Sequence, residues 1–118
     1  MKKSTYYLNM GKGTPVKVEG YIFNVEEFNF GVDKRDDDPK YSETPWVVTE
    51  ISTGFSMGRN YSGTTPEEAA EKVTKGIKAI REKLNEAKTK TKWIDLIKEF
   101  KQKQSELNST KTSRRRLI

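Results

Sequence analysis

Histidine and cysteine are both absent from the 118 residues, and this bounds the chemistry before any motif is sought. Without imidazole the chain lacks the commonest general base at neutral pH and the commonest metal ligand. Without thiols it has no disulfide, no thiolate metal site and no sulfur nucleophile. Carboxylates, hydroxyls and amines remain. Asp33, Asp36, Asp37 and Asp38 are hard-cation ligands by type. Lys34 and Arg35 sit among them, however, and the spacing lacks the alternation and central glycine of a helix–loop–helix calcium site. Glu26, Glu27 and Glu50 could pair for acid–base work, yet no pattern places them in an apolar pocket. The hydroxyls have only lysine as a base, at no recognised Ser–Lys spacing. The glycines at 11, 13, 54, 58 and 63 form no phosphate cradle between a strand and a helix. A non-enzymatic protein, with no metal and no cofactor, is the expectation.

The basic residues carry more information. The net charge of +6 divides into −1 over residues 1–64 and +7 over residues 65–118. Such asymmetry suits an anionic partner, either nucleic acid or an acidic protein surface. Lys72, Lys75, Lys78 and Lys83 alternate with Glu71, Glu82 and Glu86, as on an ordinary solvated helix. Lys88, Lys90 and Lys92 form a cluster with no acidic member, and so do Lys111, Arg114, Arg115 and Arg116. Acid-free clusters suit phosphate contacts, because each neutralised phosphate releases counterions. Lys72, Lys75 and these two clusters are therefore the candidate contacts. Tyr21, Tyr41, Tyr61 and Trp46 lie in or beside the first half, where aromatic faces could stack on bases. Tyr21 and Trp46 are equally explained by cross-strand packing. Tyr61, Trp93 and Phe100 are the candidates for stacking or for an interface, Trp93 by its helical spacing being the better core residue.

The elements that must position these groups read as strands first and helices after. Apolar residues make up 32% of the chain and charged residues 34%, so the core is thin and the surface heavily solvated. Tyr6, Tyr7 and Leu8 suggest a short first strand. Val16 and Val18 alternate with Lys17 and Glu19, then Tyr21, Phe23 and Val25 continue in the opposite parity after Gly20, which predicts a bulge there. A turn at Glu26-Glu27 leads to Phe28, Phe30 and Val32. Residues 33–45, dense in charge and with two prolines, read as a loop. Trp46 to Ser52 is the clearest strand, joined through Ser52-Thr53-Gly54 to Phe55 and Met57 as a hairpin. Thr65, Pro66, Glu67 and Glu68 start a helix by capping, by fixed φ and by charge at the positive dipole end. Ala69, Val73, Ile77, Ile80, Leu84 and Ala87 then form one apolar stripe, with Gly76 beside it as a point of close packing. Trp93, Leu96, Ile97, Phe100 and Leu107 mark a second amphipathic helix. The expected organisation is one α+β domain over residues 1–108. Its three- to four-stranded antiparallel meander sheet (5–62) is packed by a long helix (66–88) and followed by a helix over 92–107. A basic flexible tail is expected over 109–118.

Trp46-Val47-Val48-Thr49-Glu50, the turn at Gly54, and Gly63-Thr64-Thr65-Pro66-Glu67-Glu68-Ala69-Ala70 make a joint that resembles the arm-DNA-binding domains of phage and transposon integrases. It is also similar, in strand–helix order, to double-stranded RNA-binding domains. The resemblance covers about residues 46–75 and implies a small sheet capped by a helix. The chain departs from the integrase arms in lacking basic residues on its strands, and from the RNA-binding domains in lacking a lysine pair at the helix start.

Two functions are consistent with this reading. One is a small stand-alone accessory protein of phage or mobile-element type that binds nucleic acid or nucleoprotein through its basic half. The other is a protein-binding inhibitor or adaptor, such as a phage-encoded blocker of a host defence nuclease, with a homodimer or partner surface over residues 93–107. No apolar core of a signal peptide follows Met1-Lys2-Lys3, and no apolar run approaches the roughly 18 residues of a membrane span, so a cytoplasmic location is expected.

Overall fold

The computed structural model describes residues 1–10 and 13–117, with side chains to residue 107. The fold is α+β: a five-stranded antiparallel sheet in sequential order, followed by three helices. The strands are β1 (Lys2–Asn9), β2 (Pro15–Val25), β3 (Phe28–Lys34), β4 (Trp46–Glu50) and β5 (Phe55–Ser56). The helices are α1 (Pro66–Lys75), α2 (Ile77–Ala87) and α3 (Thr91–Leu117).

The first strand is longer than Tyr6, Tyr7 and Leu8 suggest, pairing from Lys2↔Ile22 to Asn9↔Pro15. The register through Lys3↔Tyr21, Ser4↔Gly20 and Thr5↔Glu19 is unbroken, so β1 and β2 pair without the bulge expected at Gly20. The parity change has another cause, because β2 serves both faces of the sheet. Val18 stands opposite Tyr6 on one face, while Tyr21, Phe23 and Val25 join the other. Gly20 is required by a close approach: a Cβ there would stand 2.2 Å from the Val32 carbonyl oxygen. The turn at Glu26-Glu27 forms with Glu26 at φ 54°, a left-handed value.

The main core lies between one sheet face and the α1–α2 pair. Val25, Phe28, Phe30, Val32 and Val48 meet Ala69, Val73, Ile80 and Leu84 there. The helix start is as expected, with Thr65 Oγ1 accepting from the Glu68 N–H at 3.1 Å. The expected single helix 66–88 is divided at Gly76, whose ψ of 9° departs from helical geometry. A Cβ at Gly76 would meet the Tyr61 ring at 2.5 Å, so the residue provides close packing and also the bend.

The opposite side of the sheet holds a polar network and the docking site of α3. The Tyr6 hydroxyl donates to Asp33 at 2.7 Å, and Arg35 donates to the same carboxylate at 3.1 Å and to Thr49 Oγ1 at 3.3 Å. Burial first, then the Asp33 charge, push the Tyr6 hydroxyl well above the usual tyrosine range. The Asn9 N–H donates to the Gly54 carbonyl at 2.9 Å, so the end of β1 meets the β4–β5 turn and the sheet curls on itself. Phe100 of α3, with no exposed surface, sits against that junction. No helix among the described residues is long and apolar enough to cross a membrane.

Candidate functional site

Three aspartates of the acidic segment, Asp33, Asp36 and Asp38, are taken up by structure. Asp33 belongs to β3 and to the network with Tyr6 and Arg35. Asp36 pairs with Lys34 at 3.5 Å, and Asp38 caps the short 3-10 turn Pro39–Tyr41 by accepting from the Lys40 N–H at 3.0 Å. No cluster of potential metal ligands occurs among the described residues. Glu50, buried to 2% exposure, accepts from Ser52 N and Oγ, both at 2.7 Å, and from Thr53 N at 3.2 Å. It fastens the β4–β5 turn. Glu26 and Glu27 both accept from Arg81, Glu27 at 2.7 and 2.8 Å, tying the β2–β3 turn to α2. The Arg81 hydrogen bond holds the Glu27 carboxyl down at about 2.

The candidate lysines separate into two kinds. Lys72, Lys75, Lys90 and Lys103 each pair with a glutamate four residues earlier, at 3.5, 2.9, 3.0 and 2.9 Å. Glutamate N-terminal to lysine at this spacing is the favourable order on a helix. Lys72 also donates to the Ser62 carbonyl at 2.8 Å, a contact that anchors α1. Lys78, Lys83, Lys88, Lys92, Lys98 and Lys101 have no carboxylate within bonding distance among the described residues. The cluster at 88–92 is therefore divided. Lys90 is paired with Glu86, the field of Lys88 acts on Glu27, and the Lys92 ammonium lies 5.6 Å from the centroid of the Trp93 ring. The backbone of α3 is helical to Leu117, within the segment expected as a tail. The side chains of Lys111, Arg114, Arg115 and Arg116 lie outside the described residues.

The three aromatic candidates have different fates. Phe100 is enclosed and has no face to offer. Tyr61 packs against Gly76 beside the main core. Trp93 meets Phe55 edge to face at a centroid distance of 5.3 Å. The face of residues 93–107 proposed for a dimer is largely covered by this chain's own sheet, with Ile97 at 9% and Phe100 at 0% exposure and only Leu107 open at 45%.

Tyr61 and Trp93 are brought together in another way: both line a cleft of about 460 Å³ between β5, α2 and the start of α3. Phe55, Met57 and the two aromatics supply one side, and Ile80, Leu84 and Ala87 of α2 supply the other. Among the described residues Lys83 is the one charged member of the lining, and none is a carboxylate. Two of its polar side chains, Asn9 and Ser56, are already engaged. Asn9 Nδ2 donates to the carbonyls of Thr53 and Leu96, at 3.3 and 3.4 Å. Ser56 Oγ bonds the Tyr41 hydroxyl and accepts from Gly58 N, both at 3.3 Å. The cleft thus offers an apolar interior with a cation in its wall and a second cation over Trp93.

Sequence reasoning assigned Lys83 to an ordinary solvated surface, read Phe55 and Met57 only as strand residues, and passed over Lys98 and Lys101. One signal could have found the lysines: a search for glutamate four residues earlier separates the paired from the unpaired set without error. Nothing local marks the cleft, because its walls come from segments far apart in the chain. Comparison with protein-family models, with curated proteins and with solved structures finds no match to this chain.

Proposed function

We propose that this chain is a non-catalytic accessory protein that binds nucleic acid, naked or within a nucleoprotein complex, through the unpaired lysines of α3 and of the joint between α2 and α3. The observation that supports this is the division of the helical lysines. Lys88, Lys92, Lys98 and Lys101 carry charge that no carboxylate among the described residues offsets at bonding distance. A phosphate approaching Lys75 or Lys90 meets Glu71 or Glu86 beside the ammonium, whereas a phosphate approaching Lys98 or Lys101 does not. The reading as a non-enzyme is supported by the absence of histidine and cysteine and by the structural use of the buried carboxylates Asp33 and Glu50.

The test is a salt titration of the full chain on a single-stranded and a duplex oligonucleotide. Each phosphate contact contributes a slope of about −0.7 for single strands and −0.9 for duplex in log affinity against log salt. Contacts from these four lysines alone correspond to a slope of about −3 on a single strand and about −3.6 on duplex. Absence of binding at low salt, or binding that does not respond to salt, overturns the proposal.

A further inference from the structure

The cleft is not explained by phosphate binding. Phosphates need cations and donors, and most of its lining is carbon. A nucleobase presents hydrogen-bonding edges, and burying those edges without partners is costly. Of the uncharged polar side chains in the lining, Asn9 and Ser56 already serve Thr53, Leu96, Tyr41 and Gly58, which leaves one hydroxyl on Tyr61 and one indole N–H on Trp93 in walls that are otherwise mostly carbon. The interior therefore favours a group with no polar edge. A volume of about 460 Å³ is within the range of built ligand sites and leaves room for a large side chain with part of its backbone. The rim is cationic: Lys83 in the wall and Lys92 over the Trp93 ring. Among the described residues no carboxylate lines the cleft to pair with either.

We infer that this cleft is a docking site for an acidic segment of another protein, which inserts one aromatic or aliphatic side chain between α2 and β5 and sets its carboxylates against Lys83 and Lys92. Anchors of this kind dominate protein interfaces when a large apolar side chain fills a pocket and charged groups remain at the rim. Charge complementarity selects the partner: a basic segment would bring a cation beside Lys83, which has no acidic neighbour in the cleft to relieve it. The inference goes beyond nucleic-acid binding and shares with it only Lys92. Together the two contacts would suit a nucleoprotein, with its nucleic acid on the unpaired lysines and its protein in the cleft.

The probe is the capped peptide Asp-Glu-Phe-Leu-Asp-Glu, titrated into the full isotope-labelled chain and followed by amide chemical shifts. Two control peptides replace Phe-Leu by Ala-Ala, or every acidic residue by lysine. The expected result is a set of shifts centred on Phe55, Met57, Lys83, Ala87 and Trp93. Affinity should fall at least tenfold for each control. The Ala87→Trp variant, which fills the cleft, should lose peptide binding and keep oligonucleotide binding. The Lys83→Glu variant, exposed and unpaired, should fold normally and shift preference towards the lysine peptide. Equal binding of the acidic and alanine peptides, shifts mapping elsewhere, or an unchanged preference in Lys83→Glu overturns the inference. Loss of oligonucleotide binding by the wild-type chain would count against the nucleic-acid function alone.

Discussion

Truncation of Phe100 tests how the last helix is held. The side chain has no exposed surface and meets the point where β1 reaches the β4–β5 turn, its ring 2.5 Å from where a Cβ on Gly54 would stand. Two routes give its size. Phe→Ala substitutions in cores cost about 3–5 kcal/mol. An aromatic side chain buries roughly 150–250 Å², which at about 25 cal/mol per Å² is roughly 4–6 kcal/mol, an upper estimate. The two agree near about 4 kcal/mol. Domains of this size have about 5–15 kcal/mol in total, so the Phe100→Ala variant should remain folded but much weakened. The other contacts of α3 with the body are modest. Among the described residues they include Ile97, the Trp93–Phe55 ring pair, Glu99 against Gly13 and single hydrogen bonds from Asn9 and Lys103. The loss should therefore appear first as release of α3. Urea denaturation followed by circular dichroism and by tryptophan fluorescence measures both effects. Fluorescence from Trp93, read with Trp46 of the sheet replaced by phenylalanine, should change at lower urea than the sheet signal, and amide protection in β3 and β4 should persist. A destabilisation below about 1 kcal/mol would refute the reasoning, because it would mean that the ring is not enclosed as described.

Two further predictions follow from the polar contacts. Tyr6→Phe removes a buried donor from Asp33 while Arg35 remains, so a loss of about 1–2 kcal/mol is expected in urea denaturation. The raised Tyr6 ionisation means that the wild type, and not Tyr6→Phe, loses this stabilisation as pH rises beyond the ordinary tyrosine value of about 10. Arg81→Gln should return the Glu27 carboxyl from about 2 towards the ordinary value of about 4.3, read by side-chain NMR titration. The lowered carboxyl contributes stability that is present above the ordinary value and lost as pH falls towards about 2, so the difference between wild type and Arg81→Gln should vanish in acid.

The parts of the fold that follow a local rule were legible. Trp46 to Glu50 alternates as a strand must, and Thr65-Pro66-Glu67-Glu68 is a helix start by capping, fixed φ and charge. The stripe from Ala69 to Leu84 faces the core as its spacing requires. What was not legible depends on partners distant in sequence. Lys2 to Thr5 has no apolar pattern, and it is a strand because β2 pairs with it along its length. Gly20 and Gly31 look like interruptions in sequence, but in space they admit the Val32 carbonyl and the Tyr6 ring. Phe100 at helical spacing could equally have met a second molecule, and only the junction of Asn9 with Gly54 shows what covers it. The candidate site shows the same division. The ion pairs of Lys75 and Lys90 were readable from Glu71 and Glu86, whereas a cleft joining Phe55, Leu84 and Trp93 has no local signature.

The most direct test of the functional account compares two double substitutions that remove equal charge. Lys98→Gln with Lys101→Gln neutralises two lysines that have no carboxylate partner among the described residues, and Lys75→Gln with Lys90→Gln neutralises two that pair with Glu71 and Glu86. Salt titration of single-stranded oligonucleotide binding should show the slope for the first variant reduced in magnitude by about 1.4, two contacts' worth, and the slope for the second unchanged. Equal changes in the two variants, or a larger change in the second, would contradict the claim that the unpaired lysines carry the binding.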